Sequence, residues 1–151
     1  MATIQFVDTC ADRPEKRPRT DDSNTSDYSE GKSRQLFEAA QDGDLKGVKR
    51  LNREGGSVYY VYPKFHTTPL YIAASKGYLE VVKWLADRDN RLVGKPDRHG
   101  RTPLNIAAQN GHLHVVQWLA KKNPKLVTQV DNNNNTPLQA LQSIKLIKPL
   151  T

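Results

Sequence analysis

The chain has 151 residues and carries 23 Lys plus Arg against 16 Asp plus Glu, which is room for one ordinary domain and excludes a multidomain enzyme. Only 36% of its residues are hydrophobic and its mean hydropathy is -0.72, so part of it is expected to be unfolded or to form a fold with much surface for its volume. No apolar stretch approaches a membrane span.

The net charge of +7 divides unevenly. Residues 1–33 hold 5 basic and 7 acidic residues and the remainder 18 and 9, so the two parts carry -2 and +9. The first part is rich in Ser, Thr, Asp and Arg with few large apolar groups. Such a segment cannot offset its ordering entropy by burial, and it is expected to be a disordered tail. Within it, PEKRPRT places Lys16, Arg17 and Arg19 in a run that resembles a short nuclear import signal; a solvated charge run is the preferred reading. The start MATIQFVDTCADRPEK lacks a basic stretch followed by a long apolar one, so no secretory signal is expected. Lone Cys10 has no partner for an internal disulfide. An intracellular protein is expected, cytoplasmic or nuclear, with the sequons at Asn24 and Asn134 accidental.

Beyond the tail the chain repeats itself. TPLYIAASKGYLEVVKWLA (68–86) aligns with TPLNIAAQNGHLHVVQWLA (102–120) at 13 of 19 positions, an offset of 34. The same offset relates Gly43, Gly77 and Gly111, and also Leu45, Leu79 and Leu113. It carries the Ala pairs at 39–40, 73–74 and 107–108 onto one another, and Thr68-Pro69-Leu70 onto Thr102-Pro103-Leu104 and Thr136-Pro137-Leu138. This gives a divergent first unit at about 34–55, full units at about 63–96 and 97–130, and an incomplete last unit at 131–148.

Each unit punctuates itself. Thr can cap a helix, Pro suits the first turn, and Gly nine residues after Thr ends it. That first helix has only about two turns. A second is expected from near Leu79 or Leu113, with 79, 82, 85 and 113, 116, 119 on one stripe, after which the chain runs to Leu92-Val93 or Leu126-Val127 before a turn. Helices this short must stack on neighbours, and the paired alanines permit close approach. Trp84 and Trp118, equivalent by the offset, are expected to pack between units.

A period of 34 also suits tetratricopeptide repeats, which need longer helices and other aromatics. The run T-P-L-x-x-A-A-x-x-G over about 34–148 instead resembles the ankyrin repeat. The resemblance implies an all-α solenoid of helix pairs joined by protruding β-turn fingers, generally used to bind proteins. The chain departs from the family pattern in places. The His that usually follows T-P-L is Tyr71, Asn105 and Gln139, and the usual Gly-Ala is Asp89-Asn90 and Asn123-Pro124. Asn134 stands where Gly100 does, a tolerable exchange, whereas His66 predicts a distorted first finger.

The family's contact positions, carried over, put Lys64, Phe65, Thr67, Ser75 and Lys76 on the concave side of one unit. The next contributes Arg98, His99, Arg101, Gln109 and Asn110, and the third finger Asn132, Asn133 and Asn135. Independently of any family, VYYVYPKF (58–65) holds four of the eleven aromatics. Aligning Val58 and Tyr59 with Leu92-Val93 assigns those two to packing. Tyr60, Tyr62 and Phe65 then either form an interface hot spot beside Lys64 and Arg98 or, for the two tyrosines, fill space under the first unit. Lys64, Arg98 and Arg101 favour an acidic protein partner. Lys46, Lys49, Lys83, Lys121 and Lys122 are expected on second helices as a solvated face.

No catalytic constellation emerges. Gly31-Lys32-Ser33 lacks the upstream glycine of a phosphate loop, where Ser26 stands, and His112 and His114 lack companions at zinc spacing. Neither cofactor nor metal is expected. The last unit has one helix, PLQALQSIKLIK, with Lys145 where Gly belongs. Apolar Leu141, Ile144, Ile147 and Leu150 leave that end under-capped. A monomer is expected unless this helix pairs. The principal reading is a non-enzymatic protein-interaction module, an adaptor or scaffold. The alternatives are nucleic-acid binding through the basic aromatic fingers, or a shortened piece of a longer ankyrin protein.

Overall fold

Thr68, Thr102 and Thr136 repeat one piece of chemistry. Each side-chain oxygen accepts a hydrogen bond at 3.2 Å from the backbone N–H three residues on, that of Tyr71, Asn105 or Gln139. Proline follows as the first helical residue, where its missing N–H costs nothing. The computed structural model describes residues 29–143. These fold as helices α1 (29–42), α2 (Leu45–Arg53), α3 (Pro69–Lys76), α4 (Leu79–Arg88), α5 (Pro103–Gln109), α6 (Leu113–Lys122) and α7 (Pro137–Ser143), with 3-10 turns at Asn90–Gly94 and Pro124–Thr128. Lys16, Arg17, Arg19, Cys10 and the chain after Ser143 lie outside the described residues.

The 34-residue phase governs the core. Leu36, Leu70 and Leu104 are buried at 0%, 0% and 1% exposure, one per unit. Leu51, Leu85 and Leu119 repeat the pattern on the second helices, and Val58, Leu92 and Leu126 on the segment after them. The alanines at 40, 73, 74, 107 and 108 are also buried. Their small side chains let α3, α5 and α7 lie close together, while α4 and α6 touch less. The stack therefore presents its first helices and fingers on one side and its second helices on the other. The expected stripe on the second helix is wider than its 79, 82, 85 period, because Val81 and Val115 are buried as well. Trp84 and Trp118 are half-buried against the core, with the cations of Arg88 and Lys122 over their rings.

The described helix reaches back past Ser33. Helix α1 is already formed at residue 29. Ser33 is buried, donates to the Ser29 carbonyl oxygen, and accepts from the Ser57 N–H at 2.9 Å. Lys32 pairs with Glu54. The Ser57 and Glu54 contacts reach across more than twenty residues, so local composition carries no trace of them. The Asp89 and Asn123 departures also have a physical role. Each side chain caps a 3-10 turn, accepting from the N–H of Arg91 or Lys125.

Gly77 closes α3 with φ +83°. A Cβ there would come within 2.6 Å of the His112 ring, which donates through Nε2 to the Ser75 carbonyl oxygen at 3.1 Å. Gly77→Ala is expected to cost about 2 kcal/mol, from the left-handed backbone and the displaced imidazole together. Thermal unfolding would register this; an unchanged melting temperature would remove the account.

A candidate interaction groove

The second and third fingers are each built on one carboxylate. Asp97 accepts through Oδ1 from the N–H groups of His99 (2.8 Å) and Arg101 (3.0 Å). Asp131 repeats this with Asn133 (2.8 Å) and Asn135 (3.0 Å). Each finger then closes by a backbone bond, Asp97 N–H to Arg101 and Asp131 N–H to Asn135, at 2.9 and 3.1 Å. Gly100 (φ 76°) and Asn134 (φ 63°) take the left-handed position, and so does His66 (φ 57°). The first finger is nevertheless distorted, and its proline gives the reason. Pro63 occupies the Asp97 position without an N–H, so Tyr62 donates to Thr67 instead, at 2.8 Å, and the finger widens by one residue. Successive fingers are tied by Arg98 N–H to Phe65 O (3.3 Å) and Asn132 N–H to His99 O (3.0 Å).

Between fingers and first helices runs a groove of about 570 Å³. Tyr62, Phe65, His99 and Arg101 border it from the fingers, and Lys76 and Asn110 from the ends of α3 and α5. Thr67 and Ser75 line it too. The remaining sequence-designated residues stand elsewhere. Tyr60 packs edge-on against Phe37, with ring centres 6.1 Å apart. Lys64 holds its ammonium over the Phe65 ring, and its carbonyl oxygen accepts from Arg98 Nη1 at 2.7 Å. Gln109 borders a smaller recess of about 270 Å³ with Asn135, Gln139 and Ala140.

Tyr62 stacks between Phe37 (5.2 Å, 20°) and Phe65 (6.1 Å, 14°). Both tyrosines are half-buried, so they support the first unit, and Phe65, 47% exposed, is the open end of the ladder. Helix α1 supplies lining that the motif-based reading missed: Arg34, Phe37, Glu38 and Gln41. A signal for three of them existed. The 34-residue offset maps Phe37 onto Tyr71, Glu38 onto Ile72 and Gln41 onto Ser75, all groove residues.

Arg101 is not a free cation. Its Nε and Nη2 donate to Asp97 Oδ2 at 3.0 and 2.7 Å, and Nη1 reaches Gln109 at 3.4 Å. The Tyr71 hydroxyl donates to the same Asp97 oxygen at 2.7 Å. Burial works to raise the Asp97 carboxyl, yet hydrogen bonds from Tyr71, Arg101 and the backbone outweigh it and hold the group below the ordinary carboxylate range. Burial, reinforced by that carboxylate, pushes the Tyr71 phenol far above its usual value. Tyr71, at a position where the sequence departs from the expected His, thus ties α3 to the second finger. Asn105 and Gln139 instead bond within their own unit, to Thr102 and Thr136.

Among the described residues, no three His, Cys, Asp or Glu side chains cluster to hold a metal, and no helix is long and apolar enough to cross a membrane. A family model described as ankyrin repeats in three copies matches residues 36–129 and, again, 91–143. Comparison with curated proteins returns no match. Phased caps, fingers and core in the same span agree with that model, and the chain belongs to the ankyrin-repeat family, whose repeats are generally protein-interaction modules and typically non-enzymatic.

Proposed function

We propose that the chain is a non-enzymatic adaptor or scaffold that holds a segment of a partner protein in the groove between its fingers and first helices. One observation carries this reading. A single concave surface collects an exposed aromatic ring, Phe65, apolar Ile72 and Ile106, and polar groups from three consecutive units. Sites of this volume and mixture are the usual places for side chains of a ligand to lodge. The lone Cys10 suits a reducing compartment, and we place the activity inside the cell on that ground.

The experiment is affinity capture from cell extract with three forms of the chain: native, Phe65→Asp in the groove, and Lys49→Glu with Lys121→Glu on the second helices. Phe65 is exposed, so its replacement leaves the core intact. A protein retained by the native chain should bind the groove variant about tenfold or more weakly, the loss typical of an interface anchor, and the outer-face variant equally well. The reverse pattern would overturn the groove assignment. Retention of nucleic acid instead, lost with the outer-face variant, would favour polyanion binding.

A further inference from the structure

The groove's charges are not equivalent, and their pairing states what a ligand must bring. The Asp97 side chain is 1% exposed and saturated by five donors, so it presents no carboxylate to a ligand. Arg101 spends its guanidinium on Asp97 and Gln109. Glu38 and Arg34 lie 3.6 Å apart and offset each other. Lys76, exposed at the end of α3, makes no hydrogen bond or ion pair with another described residue. Among the described residues it is the one charged side chain of the lining without a pair, while Lys64, outside the lining, sets its ammonium over the Phe65 ring. The same groove is lined by Phe65, Ile72 and Ile106, with Ile72 one turn before Lys76 on α3.

Resting on the groove as the partner site, we propose that its ligand is a peptide segment in which a large apolar side chain stands next to a carboxylate. The apolar group covers Phe65 and Ile72, and removing that surface from water supplies most of the affinity. The carboxylate meets Lys76, which orients the segment and rejects basic sequences by leaving two cations face to face. The occupant is an acidic protein segment and not a nucleic acid. The aromatic ladder ends in a single exposed ring, Phe65, with the Lys64 ammonium over it, and Tyr62 is enclosed by Phe37 and Phe65, whereas nucleic-acid strands need successive stacking platforms.

The test is selection from a random peptide library displayed on phage, run in parallel on the full native chain, Lys76→Glu and Phe65→Ala. Both substitutions are at exposed positions, and circular dichroism would check that each variant keeps the native helix content. The expected result is enrichment of Asp or Glu within a few residues of Leu, Ile, Phe or Trp by the native chain. Lys76→Glu should reverse the charge preference to Lys or Arg, and Phe65→Ala should weaken synthetic versions of the winning peptides about tenfold. Enrichment of another chemistry that is still lost in these variants would overturn the inference on ligand class and leave the groove as the site. Peptides indifferent to both variants would overturn the groove reading as well. No enrichment at all would count against the acidic-apolar ligand.

Discussion

Asp97→Ala is expected to destabilise the protein by about 3 kcal/mol, because removing one member of a buried, hydrogen-bonded pair leaves the other groups without partners. The substitution strands the Tyr71 hydroxyl, which sits on a residue only 4% exposed. It also removes the acceptor for two finger N–H groups. The Arg101 side chain, 29% exposed, can turn toward water, which keeps the cost below that of a wholly enclosed cation. At roughly 4 °C per kcal/mol for a domain of this size, the melting temperature should fall by roughly 12 °C. Tyr71→Phe is the matched control. It deletes one donor while Asp97 keeps four, and should cost about 1–1.5 kcal/mol. Equal losses for the two variants in thermal unfolding would contradict this ordering.

The same carboxylate sets an acid limit. The folded Asp97 titrates below its ordinary value of 3.8, so the folded state binds fewer protons than the unfolded chain near that pH. Its stabilisation is therefore complete above the unfolded value and disappears as the pH falls through the folded one. Asp131 is displaced in the same direction, burial opposing and the Asn135 and Asn133 bonds prevailing, and acts in the same window. Melting temperature plotted against pH should drop below about pH 4, and Asp97→Asn should make that drop shallower.

What the sequence disclosed follows from what repetition can encode. Caps, helix lengths and core leucines recur at a fixed offset, and each depends on residues within a few positions of itself, so Thr68, Thr102 and Gly77 announce their roles locally. The first unit lacks the T-P-L signal. Its helix α1 extends back to residue 29 through contacts with the turn at 54–57, and such long-range bonds leave no periodic trace. The groove was legible in outline, since Phe65, Lys76, His99 and Asn110 all line it. Pairing was not. Arg98 and Arg101 read as free basic fingertips until the Lys64 carbonyl and the Asp97 carboxylate are placed beside them. The widened first finger illustrates the same limit. His66 signalled strain, but the change in register comes from the missing N–H of Pro63, which matters only once the Asp97 bond shows what that N–H does in a regular finger.

Leu104→Ala is expected to cost about 2–5 kcal/mol, whereas Leu138→Ala should cost less than about 1 kcal/mol, although both leucines end the same T-P-L motif. The difference lies in their neighbours. Leu104 is 1% exposed in α5, which packs against α3 on one side and α7 on the other; Leu138, in α7, is 48% exposed. Val93 and Val127 repeat the contrast at 0% and 40%. In a stack where each unit touches only its neighbours, stability is a sum of intrinsic and interface contributions. A cavity at Leu104 therefore weakens the two interfaces of the central helix together, while truncation at Leu138 removes surface that water already reaches. Guanidinium unfolding followed by far-ultraviolet circular dichroism would show the midpoint falling for Leu104→Ala and staying near native for Leu138→Ala. Comparable losses at both sites would mean that Leu138 is covered in solution, and that the array's last interface is closed by contacts beyond those of α7 described here.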